Sequence, residues 1–191
     1  MNKDLVHVLQ NEAIKAAGNE DAWKNYIRYR ENVYYPYVSD NIENNLISEA
    51  NWMIRSQNIS SEDLGLYLTV GDICFIDFGQ AYLNEMAYQL FGIILSICRK
   101  KALVIPMTST PVQSANAYDA SENHNGQIHL MRLGDIKGLR YHSVLFLNDM
   151  KFVNTARVIE VKAHIDQDST LFRKIQQRMM QVMFLRDDIA W

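Results

Sequence analysis

Hydrophobic and polar positions follow two different periods along this chain, and the change falls near residue 65. Ahead of it the period is helical. Leu5, Val8, Leu9 and Ala13 recur on one face, and Gly18 is a stop signal. A second pattern begins near Glu20, sets Trp23, Tyr26, Ile27 and Arg30 on neighbouring turns, and is expected to end before Pro36. A third starts at Ser39-Asp40, where Asp40 and Glu43 fit a capping box, and runs through Ile42, Leu46, Ala50, Met53 and Ile54. The run Tyr34-Tyr35-Pro36-Tyr37 joins the last two. With Arg28 and Arg30 interleaved, its rings suit either base stacking or a half-buried loop with exposed hydroxyls.

From Leu66 onward the segments shorten and become β-rich. Leu66–Val70 and Asp72–Phe78 read as strands with Gly71 as the kink between them. Phe91–Cys98 and Ala102–Met107 read as two buried strands joined by a basic turn, Arg99-Lys100-Lys101. Ile128–Arg132, Ser143–Leu147 and Arg157–Ala163 complete the set, and short strands with polar loops predict a small curled antiparallel barrel. After Asp168 the helical period returns, with Leu171, Phe172, Ile175, Met179, Val182 and Met183 on one face. That stripe suits a core or a subunit interface better than a cofactor box. The expectation is an α+β chain: a helical N-terminal extension, 1–65, ahead of a barrel domain with a C-terminal helix, 66–191.

The 191 residues carry 19 Lys/Arg against 22 Asp/Glu, a net charge of −3. The imbalance is local: residues 1–70 carry six basic and ten acidic groups, and residues 71–165 nine and eight. An acidic module therefore precedes a slightly basic one. No stretch reaches the ~20 apolar residues that a membrane-spanning helix needs, and Met1-Asn2-Lys3-Asp4 lacks the profile of a secretory signal. Cys74 and Cys98 both sit in apolar runs, so buried free thiols are expected in a cytoplasmic, non-membrane protein.

Candidate chemistry is sparse. The histidines, His129 among them, are scattered without metal-ligand spacing, and no metal site or cofactor is expected. Neither a phosphate-binding Gly-rich loop nor the nucleophile-elbow pattern occurs. Val104–Pro111, VIPMTSTP, is a strand that ends in hydroxyls fixed between prolines. Such a terminus can hold a phosphate or orient a proton transfer; it is also ordinary turn chemistry.

Three blocks in order carry a resemblance. Residues 71–96, GDICFIDFGQAYLNEMAYQLFGIILS, resemble the opening of the PemK/MazF family of toxin endoribonucleases: a Gly-Asp strand, an acidic position midway at Glu85, and an apolar strand ending in Leu-Ser. VIPMTST resembles that family's second block, and Ser143–Asn154, SVLFLNDMKFVN, its later strand and turn. FGIILSICRKKALVIPMTSTP is also similar to the ToxN-type toxins of RNA-antitoxin systems. The likeness covers roughly residues 68–185. It implies an SH3-like barrel, often dimeric, neutralised by a protein or RNA antitoxin. The implied activity is cleavage of single-stranded RNA without metal, by attack of the ribose 2′-hydroxyl on the adjacent phosphorus. On that reading Thr108 and Ser109 are the hydroxyl pair that binds the scissile phosphate, with Glu85, Tyr88, Gln89, Lys100, Asn148, Asp149 and Lys151 contacting RNA. One position departs: Leu90 stands where the family has a catalytic arginine, and the ToxN-type lysine falls at about Tyr88. Another cation must then act, with His129, Lys151 and the Arg99-Lys100-Lys101 turn as candidates, or the chain is a weak or silent RNA- or antitoxin-binding member of the fold.

Overall fold

A computed structural model describes residues 19–37, 41–80 and 82–184. The chain divides into two compact units, 1–46 and 47–191. The helix proposed around Leu5–Ala13, its Gly18 stop and the Asp40 cap lie outside the described residues.

In the first unit α1 (Asn19–Tyr29) does not stop before Pro36. It continues as a π-helical turn over Arg30–Tyr34 and a short α-helical piece, Tyr35–Tyr37. The wider turn is the physical reason: Tyr35 N–H donates to Arg30 O, five residues back, so the ladder loosens where proline brings no N–H of its own. Arg30 lies over the Tyr26 and Tyr35 rings at 5.6 and 5.1 Å and donates to the Tyr35 hydroxyl at 2.9 Å. Of the tyrosine run, Tyr35 is thus packed with Arg30.

Helix α2 (Ile42–Arg55) spans the division between units. Within the second unit its inner face is polar, with Ser48 buried and Asn51 and Arg55 half-buried. Met53 and Ile54, apolar positions of the helical pattern, are 56% and 71% exposed. The β-rich part presents polar atoms here: Arg55 donates to the carbonyls of Ala156 and Val158. After α2, Ser61 N–H donates to the Thr155 hydroxyl, and Asn154 donates to Ile59 O. The segment from Ile47 to Leu64 is thus hydrogen-bonded onto the β-rich part.

Among the described residues seven strands form one antiparallel sheet: β1 (Asp72–Asp77), β2 (Gln89–Cys98), β3 (Lys101–Thr108), β4 (Leu130–Arg132), β5 (Val144–Phe146), β6 (Lys151–Asn154) and β7 (Val158–His164). The order is β4-β5-β3-β2-β1-β7, and β6 pairs with the first half of β3 while β5 pairs with its end. A strand shared in this way bends the sheet around itself, and the sheet stays open between β4 and β7. The short α3 (Pro111–Asn116) follows β3, and α4 (Thr170–Met183), capped by the Ser169 hydroxyl, closes the fold.

The sheet buries both faces, which is why β1 to β3 read as continuous apolar runs rather than alternating ones. Ile73, Ile93, Leu95, Ile105, Met107 and Leu145 point to one core, against Phe172 and Ile175 of α4. Cys74, Ile76, Phe78, Ile94, Val104 and Val153 point to the other. Leu66–Val70 is not a strand; Leu66 and Leu68 serve as apolar cover for the second core. Gly71 at φ +96° makes the turn into β1, where a Cβ would lie 2.0 Å from Ile165 O. Cys74 is buried as expected, but Cys98 at the hairpin end of β2 is exposed.

Candidate functional site

The loop between β1 and β2 is built from its two ends inward. Phe78 N–H donates to Tyr88 O, and Tyr88 N–H to Gly79 O, at 2.8 and 2.7 Å. Gly79 and Tyr88 both take positive φ, and Asn84 does so again near the tip, where Tyr82 and Leu83 are exposed. Glu85 is spent on its own turn, its carboxylate accepting Tyr82 N–H. Midway back, Met86 is pinned by the turn ahead of β6 and by β6 itself. Its N–H donates to Asp149 Oδ2 at 2.9 Å and its carbonyl accepts Lys151 Nζ at 3.3 Å. The Lys151 ammonium also lies 5.6 Å over the Phe78 ring.

Strand register decides which side chains face this loop. Extending the β2–β3 ladder one residue beyond the Phe91–Met107 pair sets Leu90 opposite Thr108. Thr108 shares its face of β3 with Val104, and Val104 pairs with Lys151 of β6. Leu90, Thr108 and Lys151 therefore lie on one face. The two β3 positions are four residues apart, about 13 Å at the usual strand rise. Leu90 packs on the second core beside Ile76 and Phe78, so at this position the chain has an apolar anchor. The Thr108 hydroxyl bonds the Thr110 hydroxyl at 2.8 Å, and Ser109 is exposed.

His129 lies just before β4, at the other edge of the sheet. Its carbonyl accepts Leu147 N–H, which brings it beside the turn Leu147–Asp149. Burial holds the imidazole below its ordinary pKa, and the Asp149 charge opposes that shift. Asn148, in the same turn, is exposed. Lys100 stands apart: it occupies the β2–β3 hairpin, at the far end of both strands from Thr108, and pairs with Glu62.

Gln89 has a partner that sequence reasoning passed over. Its amide donates to Asp77, the buried last residue of β1. A carboxylate that closes an apolar strand was the one available signal.

The chain is similar in structure to MazF. MazF from Deinococcus radiodurans aligns at 12% identity over 63% of this chain and 99% of that one, with a TM-score of 0.46. An endoribonuclease in complex with its cognate antitoxin, from Mycobacterial species, aligns at 10% identity over 63% and 98%, with a TM-score of 0.44. The MazE-MazF structure from Deinococcus radiodurans gives 12%, 63%, 99% and 0.43. No protein-family model and no curated protein matches the sequence. Among the described residues no helix is long and apolar enough to cross a membrane, and no group of three or more His, Cys, Asp or Glu side chains could hold a metal ion.

Proposed function

We propose that this protein is a toxin-type endoribonuclease acting on single-stranded RNA. The reading is supported by the register that sets Thr108 and Lys151 on one face of the sheet, with Lys151 bonded to Met86 of the β1–β2 loop, in a chain with the three ordered sequence blocks. In the reaction the 2′-oxygen bonds to phosphorus and the P–O5′ bond breaks, leaving a 2′,3′-cyclic phosphate and a 5′-hydroxyl. The 2′-hydroxyl proton must pass to a base, and the departing O5′ oxygen takes a proton from solvent water. Thr108 and Ser109 hold the scissile phosphate through their hydroxyls. Lys151 takes the part that Leu90 cannot, its ammonium balancing the charge that develops on the phosphorane oxygens. His129, whose burial favours the neutral imidazole, is the proton acceptor. Asn148, Asp149, Glu85, Tyr88 and Gln89 shape the loop and turn along which the strand runs.

A second reading rests on Leu90. Its partly buried side chain packs against an apolar core, which suits a silent RNA- or antitoxin-binding member of the same fold. Purified protein incubated with a long RNA in EDTA separates the two. Discrete fragments with cyclic-phosphate ends, lowered ~10²-fold or more in Lys151→Ala and Thr108→Ala, support the nuclease. Absence of cleavage, with cleavage appearing in Leu90→Arg, supports the silent form.

The partners proposed are an antitoxin, protein or RNA, and a second copy of the chain. Phe172 and Ile175 of α4 are used in the core, so Met180, Met183 and Phe184, each half exposed or more, are the surface left for a homodimer. A monomer mass at micromolar concentration would oppose the dimer. The acidic balance of residues 1–65 suits a solvated accessory segment, or one that competes with phosphate for the RNA site.

A further inference from the structure

The carboxylate of Asp77 is 4% exposed as a residue and accepts four hydrogen bonds, two on each oxygen. Oδ1 takes the Ser48 hydroxyl and the Gly79 N–H, both at 2.8 Å. Oδ2 takes the Asn51 amide at 2.8 Å and the Gln89 amide at 3.0 Å. Two of these donors belong to α2, and two belong to the two ends of the β1–β2 loop. Arg157 adds a fifth contact by donating to the backbone carbonyl of Asp77 at 3.2 Å.

We propose that Asp77 is a positioning residue through which α2 sets the pose of the β1–β2 loop over the Thr108–Lys151 face. A buried carboxylate satisfied by four uncharged donors has a defined geometry, because losing any donor leaves an acceptor lobe without a partner. Gly79 opens the loop and Gln89 closes it, next to Leu90, so both loop ends are referred to one atom group. The helix holds that group by Ser48 and Asn51, one turn apart on the same face. Its contact with the strands is hydrogen-bonded rather than apolar, with Arg55 on the carbonyls of Ala156 and Val158. Trp52, Met53 and Ile54 face away, 64%, 56% and 71% exposed. A helix docked by polar groups is removable without opening an apolar core, which is what a coupling element requires. In the proposed nuclease, which this inference builds on, α2 thereby controls how the loop receives RNA while touching neither substrate nor reacting atoms.

The experiment compares the full-length protein with the double variant Ser48→Ala/Asn51→Ala, with Asp77→Asn, and with Ser48→Thr, which keeps the hydroxyl. Amide hydrogen exchange is followed at Gly79, Met86 and Tyr88 of the loop and at Ile93 and Ile105 of the core, together with the denaturation midpoint and the KM and kcat for RNA. The double variant and Asp77→Asn should exchange about tenfold faster at the loop amides, with core protection unchanged. KM should rise more than kcat falls, and Ser48→Thr should behave as wild type. Loop exchange unchanged in folded variants, or accelerated equally in loop and core, overturns the coupling. The exchange arm needs no activity: if wild-type protein cuts no RNA, the nuclease reading fails while faster loop exchange still establishes the link through Asp77.

Discussion

Replacing Arg99-Lys100 by Asn-Gly should stabilise the protein, although it deletes an ion pair. The two residues form the loop of the β2–β3 hairpin at φ 47° and 69°, the paired left-handed conformation that matches the twist of adjoining strands. An L-residue with a long side chain gives up about 1–2 kcal/mol at each such position. Asparagine tolerates it and glycine has no Cβ to clash. Against this gain stand about 0.5–1 kcal/mol for the added freedom of glycine in the unfolded chain and the loss of the Lys100–Glu62 pair. Those side chains are 47% and 55% exposed, so solvent screening leaves the pair well under about 1 kcal/mol. The net is about 1 kcal/mol in favour of Asn-Gly, or a rise in Tm of roughly 2–4 °C for a domain of this size. Thermal and urea unfolding followed by circular dichroism would measure it. Glu62→Gln, which removes the pair and leaves the turn, isolates the electrostatic part and should shift stability by less than about 0.5 kcal/mol. An unchanged or lowered midpoint for Asn-Gly, with Glu62→Gln neutral, would refute the claim that strain in this turn outweighs its charge contact.

Two further expectations concern titratable groups. Burial, helped by the neighbouring Asp72 charge, pushes the Cys74 thiol up to about 12. A thiol reagent at neutral pH should therefore modify one cysteine of the native protein, the exposed Cys98, and two after unfolding; rapid double modification of folded protein would contradict the burial. Burial alone would raise the Asp77 carboxyl, yet its bonds from Gln89, Asn51, Ser48 and Gly79 together hold it below the ordinary 3.8. A depressed folded-state pKa means that its contribution is present above the unfolded value and fades as pH falls through the lowered one. As pH falls from about 5 to below the ordinary carboxylate value, wild-type stability should then drop more steeply than that of Asp77→Asn. Parallel curves for the two proteins would count against a charged Asp77.

What the sequence by itself determined is the order and type of most elements. The apolar runs Phe91–Cys98 and Ala102–Met107 marked the central hairpin because both faces of those strands are buried, and Leu171 to Val182 marked α4 because a 3.6-residue stripe packs on a sheet. Thr108 and Ser109 were legible as hydroxyls at a strand end. The tertiary structure decided what local pattern cannot encode. Lys151–Asn154 became a strand only by pairing with β3, and that pairing alone put Lys151 on the face of Thr108. Pro36 stayed inside a helix because a π-turn loosened the ladder ahead of it. Helix α2 turned its polar side inward, against its own hydrophobic period, since a strand-terminal carboxylate waited there for donors. Periodicity reports that a face exists. Which partner that face meets, and whether the partner offers methyl groups or an acceptor with open lone pairs, is fixed by residues distant in the chain.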